Sequence, residues 1–266
     1  MTAAVEHRVH DHLVESRDGP VALLRIDREA ALGALSRSMV DAMGTYFRAV
    51  RADPEIRVLV LTGTGRGFVA GADIGEYRNA TPAEFDAYQR LSRSVFEELA
   101  SLPQPTIAAV NGYAFGGGFE LALCCDFIVA SDRARFALPE VRLGLLPGGG
   151  GTQRLAREVG VRLTKELVMT GRTMRPDEAD RHGLLTRVTG HDELLPTALQ
   201  LARELAAGAP LAVREAKRLI DDGVQQALGA ALTTEQAVLC RLFATHDGQE
   251  GIAAFAEKRE PTFQGR

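Results

Sequence analysis

The chain has 266 residues, of which 45% are hydrophobic and 25% charged, and a formal net charge of -4. That length suits one hydrophobic core, or one plus a small appendage. Folding would bury roughly 70–75% of the extended chain's surface, so no disulfide or metal is needed for stability. The acidic balance and the scatter of basic residues, all but three of them arginine, argue against a nucleic-acid-binding protein.

The first elements read as two strands, 9–14 and Val21–Ile26, joined as a hairpin by Asp18-Gly19-Pro20. Ser36 caps a helix whose apolar positions Met39, Val40, Met43, Phe47 and Val50 follow helical spacing, and Asp53-Pro54 ends it. Residues 58–61, all apolar, form a buried strand that runs into a glycine-rich loop, 63–75. Thr81-Pro82-Ala83-Glu84 combines a capping box with proline at the first helical position and starts the next helix. A strand at Thr106–Val110 leads through Gly116-Gly117-Gly118 into a short apolar helix, 119–125, and a strand at 127–130 follows. A second glycine cluster, 148–151, precedes a helix from about Thr152.

Strand, glycine-rich loop and helix recur, which predicts an α/β fold of parallel strands with crossover helices and functional groups where loops leave strand ends. Beyond Glu193 the pattern is helical only, so the chain divides into a core, 1–192, and a helical region, 193–266. Three cysteines, Cys124, Cys125 and Cys240, form neither a disulfide framework nor a metal site, which fits a reducing cytoplasm. The first residues carry no apolar signal segment, and the most apolar stretch is broken by Glu120 and Asp126, so neither secretion nor membrane spanning is expected.

Candidate chemistry gathers around the glycines. The first N–H groups of a helix lack intrahelical partners and carry the positive end of its dipole, so Gly116-Gly117-Gly118 could hold an anion or a polarised carbonyl oxygen; tight packing alone is the plainer reading. Glu120 lies about one helical turn beyond Gly117 among apolar neighbours, where burial would shift its pKa, although a first-turn glutamate also suits the helix dipole. Glu140, in Ala137-Leu138-Pro139-Glu140-Val141, is a second lone carboxylate, whose ordinary alternative is a solvated pair with Arg142. Two carboxylates on one pocket could transfer protons, one giving and one taking. Gly71-Ala72-Asp73 could supply another free N–H, and two N–H groups aimed at one oxygen make an oxyanion hole. His7, His10 and His12 are close in sequence, but no cysteine or carboxylate completes a metal-ligand set.

Four segments together resemble the enoyl-CoA hydratase/isomerase family, the crotonases. They are Gly67-Phe68-Val69-Ala70-Gly71-Ala72-Asp73-Ile74, the run from Ala108 through Asn111-Gly112 to Gly118-Phe119-Glu120-Leu121, Phe136-Ala137-Leu138-Pro139-Glu140-Val141, and Gly144 through Gly148-Gly149-Gly150-Gly151 to Arg154-Leu155. The resemblance implies a Clp-like spiral of ββα units followed by a helical trimerisation region, assembled as a homotrimer or a dimer of trimers. It implies that the N–H groups of Ala72 and Gly117 bind the thioester oxygen, that Glu120 is the base for water, and that Glu140 donates the α-proton. Around the substrate it places Ala30, Ala31, Leu32, Arg66, Ala70, Asp73, Ile74, Gly75, Gly116, Pro139 and Gly148. The activity implied is an enoyl-CoA hydratase of lipid metabolism, adding water to a 2-trans-enoyl-CoA. No metal or redox cofactor is called for, coenzyme A being part of the substrate. Alternatives are a Δ3,Δ2-enoyl-CoA isomerase, which relies on the Glu140 position alone, and a non-catalytic acyl-CoA-binding protein on the same fold. The chain departs from the family at Glu29 and Gly33, in place of proline and asparagine, and at Ala30 and Gly75, where basic residues are frequent; phosphate anchoring then falls to Arg66 or to a neighbouring subunit.

Overall fold

The computed structural model describes residues 6–266. The opening is a three-stranded meander of β1 (His7–His10), β2 (Leu13–Asp18) and β3 (Val21–Ile26). It is not the single hairpin expected from sequence, because the chain turns at Asp11-His12, where the His12 N–H donates to His10 Nδ1 at 3.1 Å. The expected strand 9–14 is therefore split between β1 and β2.

Helix α1 (Arg37–Ala52) is capped by Ser36, whose Oγ accepts from the Met39 N–H at 3.3 Å. Strands β4 (Val58–Gly63) and β5 (Gly67–Val69) and the short helix α2 (Ile74–Tyr77) follow, and then α3 (Pro82–Ala100) with its capping box formed. The central repeats are β6 (Thr106–Val110), β7 (Tyr113–Phe115) and α4 (Gly117–Ala122), then β8 (Phe127–Ser131) and β9 (Arg135–Ala137). Helices α5 (Gly151–Val159), α6 (Val161–Thr170) and α7 (Pro176–Arg181) precede β10 (Arg187–Thr189). The rest is helical: α8 (Leu194–Ala206), α9 (Pro210–Gly223), α10 (Leu228–Phe243) and α11 (His246–Glu257).

Seven strands form one sheet in the order β1-β2-β3-β4-β6-β8-β10, parallel from β3 onward, and β5-β7-β9 form a second, parallel sheet. Each turn of the chain thus lays one strand on the large sheet and the next on the small one, the ββα spiral that the resemblance implies. Side chains alternate across the large sheet, which explains why β4 is apolar at every position from 58 to 61. Leu59 and Leu61 enter the main core with α1 and α3, whereas Val58 and Val60 join Ile107, Ala109 and Val129 in a second core on the opposite face.

Helix α8 closes that second core through Leu194, Ala198, Leu201 and Ala202. The sheet is therefore sandwiched, and the packed core continues past the expected boundary at 192 to about Ala206, because β3, β4, β6 and β8 are apolar on both faces. Helices α9 to α11 are different. They leave Ile220, Val224, Leu228, Leu232, Leu239, Phe243, Ile252 and Phe255 exposed. Helix α9 is tethered by the Lys217–Asp126 ion pair at 2.8 Å, and Arg57 ties the segment after α11 to the end of α8 by donating to the carbonyls of Phe263 and Ala206. Among the described residues no helix is long and apolar enough to cross a membrane.

Candidate active site

The site assembles where the small sheet ends against the N-termini of two helices. After β7 the chain must turn sharply into α4, and Gly116 makes that turn at φ +51°, ψ -125°, a conformation that L side chains rarely adopt. A Cβ there would also lie 2.9 Å from a Glu140 carboxylate oxygen, so Gly116 serves both the turn and the approach of Glu140. Gly117, the first residue of α4, has no intrahelical acceptor for its N–H. A Cβ built on it would be 4.0 Å from the Ala72 nitrogen and 4.0 Å from the Phe96 ring. The main chains of Ala72 and Gly117 thus face one gap, and among the described residues neither N–H donates to a protein acceptor.

Glu120, one turn further along α4, is buried, at 3% exposure. Its Oε1 accepts from the N–H groups of Gly149 and Gly151, both at 2.8 Å. Those amides begin α5, whose N-cap Gly150 offers no capping side chain, so the glutamate itself caps the helix. Burial raises its pKa, and the N–H groups of Gly151, Gly149 and Gly150 pull it back towards the ordinary range. Among the described residues Oε2 finds no hydrogen-bond partner, and it points past Gly149, where a Cβ would come within 2.9 Å of it.

Glu140 opens a short 3-10 turn, Glu140–Leu143, after Pro139. Among the described residues no ion pair joins Arg142 to it; the Arg142 side chain lies against Gly171 instead. Glu140 Oε2 is buried without a hydrogen-bond partner among the described residues. Burial pushes this carboxyl up to about 7, with the negative charge of Glu120 adding to the effect and a local backbone N–H opposing it. The two carboxyls feel each other's charge while only one is held by helix amides, so their proton affinities differ.

A third segment completes the frame. The chain from Arg28 to Leu35 lies along Gly67–Asp73: the Ala70 N–H donates to Leu32 O at 3.0 Å, and Leu35 bridges to Ala72. Gly33 takes φ +76° and passes so near Phe68 that a Cβ would lie 2.6 Å from its carbonyl oxygen, a close approach that only glycine allows. This contact brings Ala31, Leu32, Ala70, Asp73, Ile74 and Gly75 to the same end of the small sheet as Gly116, with Ala30 and Gly75 exposed. Pro139 follows β9 beside Glu140, and Gly148 faces Gln89 of α3. Arg66 is exposed, but its guanidinium donates to Tyr113 Oη at 3.2 Å and lies 5.7 Å from that ring's centroid. A cavity of about 290 Å³, lined by Leu123, Cys125, Asp126, Glu158 and Leu185 among others, contains none of these residues. Among the described residues no group of three or more His, Cys, Asp or Glu could hold a metal ion.

The profile of the enoyl-CoA hydratase/isomerase family matches residues 16–266. The chain belongs to that family. It is 42% identical over 257 residues to a 2,3-dehydroadipyl-CoA hydratase of Escherichia coli, covering 96% of this chain and 99% of that protein. A crotonyl-CoA hydratase of Syntrophomonas wolfei is 39% identical over 96% of this chain and 98% of its own length. Among solved structures, an enoyl-CoA hydratase from Bacillus anthracis superposes with a TM-score of 0.94 at 36% identity, covering 96% of this chain and all of that one.

Against this crotonase frame, sequence reasoning missed three participants. The amides of Gly149 and Gly151 hold Glu120, a contact that the glycine cluster before a helix hinted at without giving a partner. Phe96 packs between Gly117 and Gly149 at the floor of the site, and in sequence it is one more apolar position of α3. Arg28 pairs with Asp73 at 2.8 Å across 45 residues, a separation no local pattern reveals.

Proposed function

We propose that this chain is an enoyl-CoA hydratase that adds water to a 2-trans-enoyl-CoA to give the 3-hydroxyacyl-CoA. The observation that carries the reading is the pair Glu120 and Glu140 beside two unpartnered main-chain N–H groups. The thioester oxygen accepts from Ala72 and Gly117. Charge that moves onto this oxygen as water attacks the β-carbon is then stabilised more than the ground-state carbonyl.

Glu120, held through Oε1 by the α5 amides, is the base, and its free Oε2 takes a proton from the attacking water. Glu140, pushed up to about 7, carries a proton near neutrality and gives it to the α-carbon. The oxygen of water ends on the β-carbon, one of its protons on Glu120 and the proton of Glu140 on the α-carbon. Return of the proton from Glu120 to Glu140 restores the starting state. No metal or redox cofactor enters this scheme, and coenzyme A is bound only as part of the substrate.

The apolar side chains exposed on α9 to α11 support assembly as a homotrimer or a dimer of trimers, since that much apolar surface is unusual on a monomer. The unpaired Cys124, Cys125 and Cys240 fit a reducing, cytoplasmic setting. The test is a panel of 2-trans-enoyl-CoA and 3-enoyl-CoA thioesters of several chain lengths, followed by absorbance of the conjugated double bond. Loss of absorbance with the 2-enoyl series supports hydration. Gain with the 3-enoyl series alone indicates isomerisation, and no change with either indicates a binding protein.

A further inference from the structure

We propose that Arg28 positions the Ala72 N–H for the thioester oxygen by clamping the two backbones that meet at Leu35 and Ala72, a reading that rests on the hydratase assignment. The N–H of Leu35 donates to Gly71 O and the N–H of Asp73 donates to Leu35 O, each at 2.8 Å. In such a parallel bridge the middle residue's N–H points away from the partner strand, which turns the Ala72 N–H towards Gly117. Among the described residues, these two main-chain bonds alone fix the Ala72 peptide from the side of Leu35.

Arg28 spans both sides of that bridge. Its Nη1 donates to Ala34 O at 2.7 Å, beside Leu35, and its Nη2 donates to Asp73 Oδ2 at 2.8 Å, beside Ala72. Asp73 Oδ1 accepts from the Gly75 N–H at 3.0 Å, so one carboxylate receives the clamp and turns the chain into α2. Arg28 is itself fixed, because its carbonyl accepts from the N–H groups of Ala31 and Gly33. The pair is largely shielded, with side-chain exposures of 22% and 26%, unlike the exposed surface pairs that contribute little. A planar guanidinium reaches two acceptors at once, which a lysine ammonium on a flexible stem does not do with the same geometry. Arg28 is thus a positioning residue, acting through Asp73 and Ala34 on a donor it does not touch.

The test compares wild type with Arg28→Gln, Arg28→Lys, Asp73→Asn and the double variant Arg28→Gln/Asp73→Asn. Asp73→Asn keeps a side-chain oxygen for the Gly75 N–H while losing the charge, and melting curves confirm that each variant is folded. Hydration of crotonyl-CoA gives kcat and KM. Bound 4-dimethylaminocinnamoyl-CoA gives a second readout, since its absorption band moves to the red as its carbonyl is polarised. Arg28→Gln and Asp73→Asn should each lower kcat about 10-fold, less than the roughly 100-fold or more for deleting an oxyanion donor, with KM within about two-fold. Arg28→Lys should fall between them and wild type, the double variant should lose no more than either single one, and the red shift should shrink in step with kcat. Unchanged kcat in folded variants overturns the proposal. So does a raised KM at unchanged kcat, which would assign Arg28 to the coenzyme A phosphates. A wild type inert towards every enoyl-CoA would instead sink the hydratase reading and this proposal with it, whereas an active wild type with indifferent variants sinks the clamp alone.

Discussion

Replacing Glu140 by glutamine should let the protein gain stability on wild type as pH rises, while it destroys activity. Glu140 has a folded-state pKa of about 7 against an ordinary 4.5, so the fold favours its neutral form. A group raised in this way costs nothing below its unfolded value, and the cost grows as pH climbs from about 4.5 to about 7 and is complete above that. The difference corresponds to about 3 kcal/mol at most. The side chain is only half-buried, so solvent screening reduces this to about 1–2 kcal/mol. Glutamine cannot ionise and escapes the penalty. Its amide adds a pH-independent cost at the buried, unpartnered Oε2 position, which cancels when two pH values are compared. Urea unfolding at fixed protein concentration, at about pH 4.5 and about pH 8, should show the variant gaining about 1–2 kcal/mol on wild type between the two. A difference that stays flat with pH would refute the buried, proton-holding carboxyl at 140.

Three further outcomes follow from the same geometry. Gly117→Val should remain folded, because the nearest atoms to its Cβ are 4.0 Å away, yet it should lose at least about 100-fold in kcat as the side chain enters the gap beside the Ala72 nitrogen; near-normal turnover in a folded variant removes Gly117 from the oxyanion hole. Because Glu140 must carry its proton into the reaction, kcat/KM should fall as pH rises above about 7, and a profile flat from about pH 6 to 9 would contradict that role. Light scattering at micromolar concentration should give a trimer or hexamer, since Ile220, Val224, Leu228 and Phe243 are all more than half exposed in one chain; a monomer would count against the assembly.

How much of this was legible in the sequence depended on the range of the interaction. Strand β4 stood out because both of its faces are buried, so a run of apolar residues was its signature. Helices α1 and α3 announced themselves through local capping at Ser36 and Thr81. Strands β5, β7 and β9 did not. Each has three residues, too few for a period, and β5 lies inside a glycine-rich loop. That the chain is helical beyond Glu193 was visible, but the membership of α8 in the core was not, because that depends on a second apolar face of the sheet from strands far away in sequence. Glu120 and Glu140 were legible as lone carboxylates in apolar runs and as family positions. Their unequal environments were not, since the amides that hold Glu120 come from 29 and 31 residues downstream.

The two-glutamate hydratase account is tested most directly by comparing Glu120→Gln and Glu140→Gln in hydration of crotonyl-CoA, with isomerisation of a 3-enoyl-CoA followed in parallel. Glutamine at 120 can still accept from the Gly149 and Gly151 amides through its carbonyl oxygen, so the fold around α5 is kept while proton exchange is lost. Each single variant should lose at least about 100-fold in hydration, mainly in kcat, and the double variant should lose much less than the product of the two. Wild-type hydration by Glu120→Gln, alongside a dead Glu140→Gln, would contradict the account and leave Glu140 as a lone proton shuttle in an isomerase.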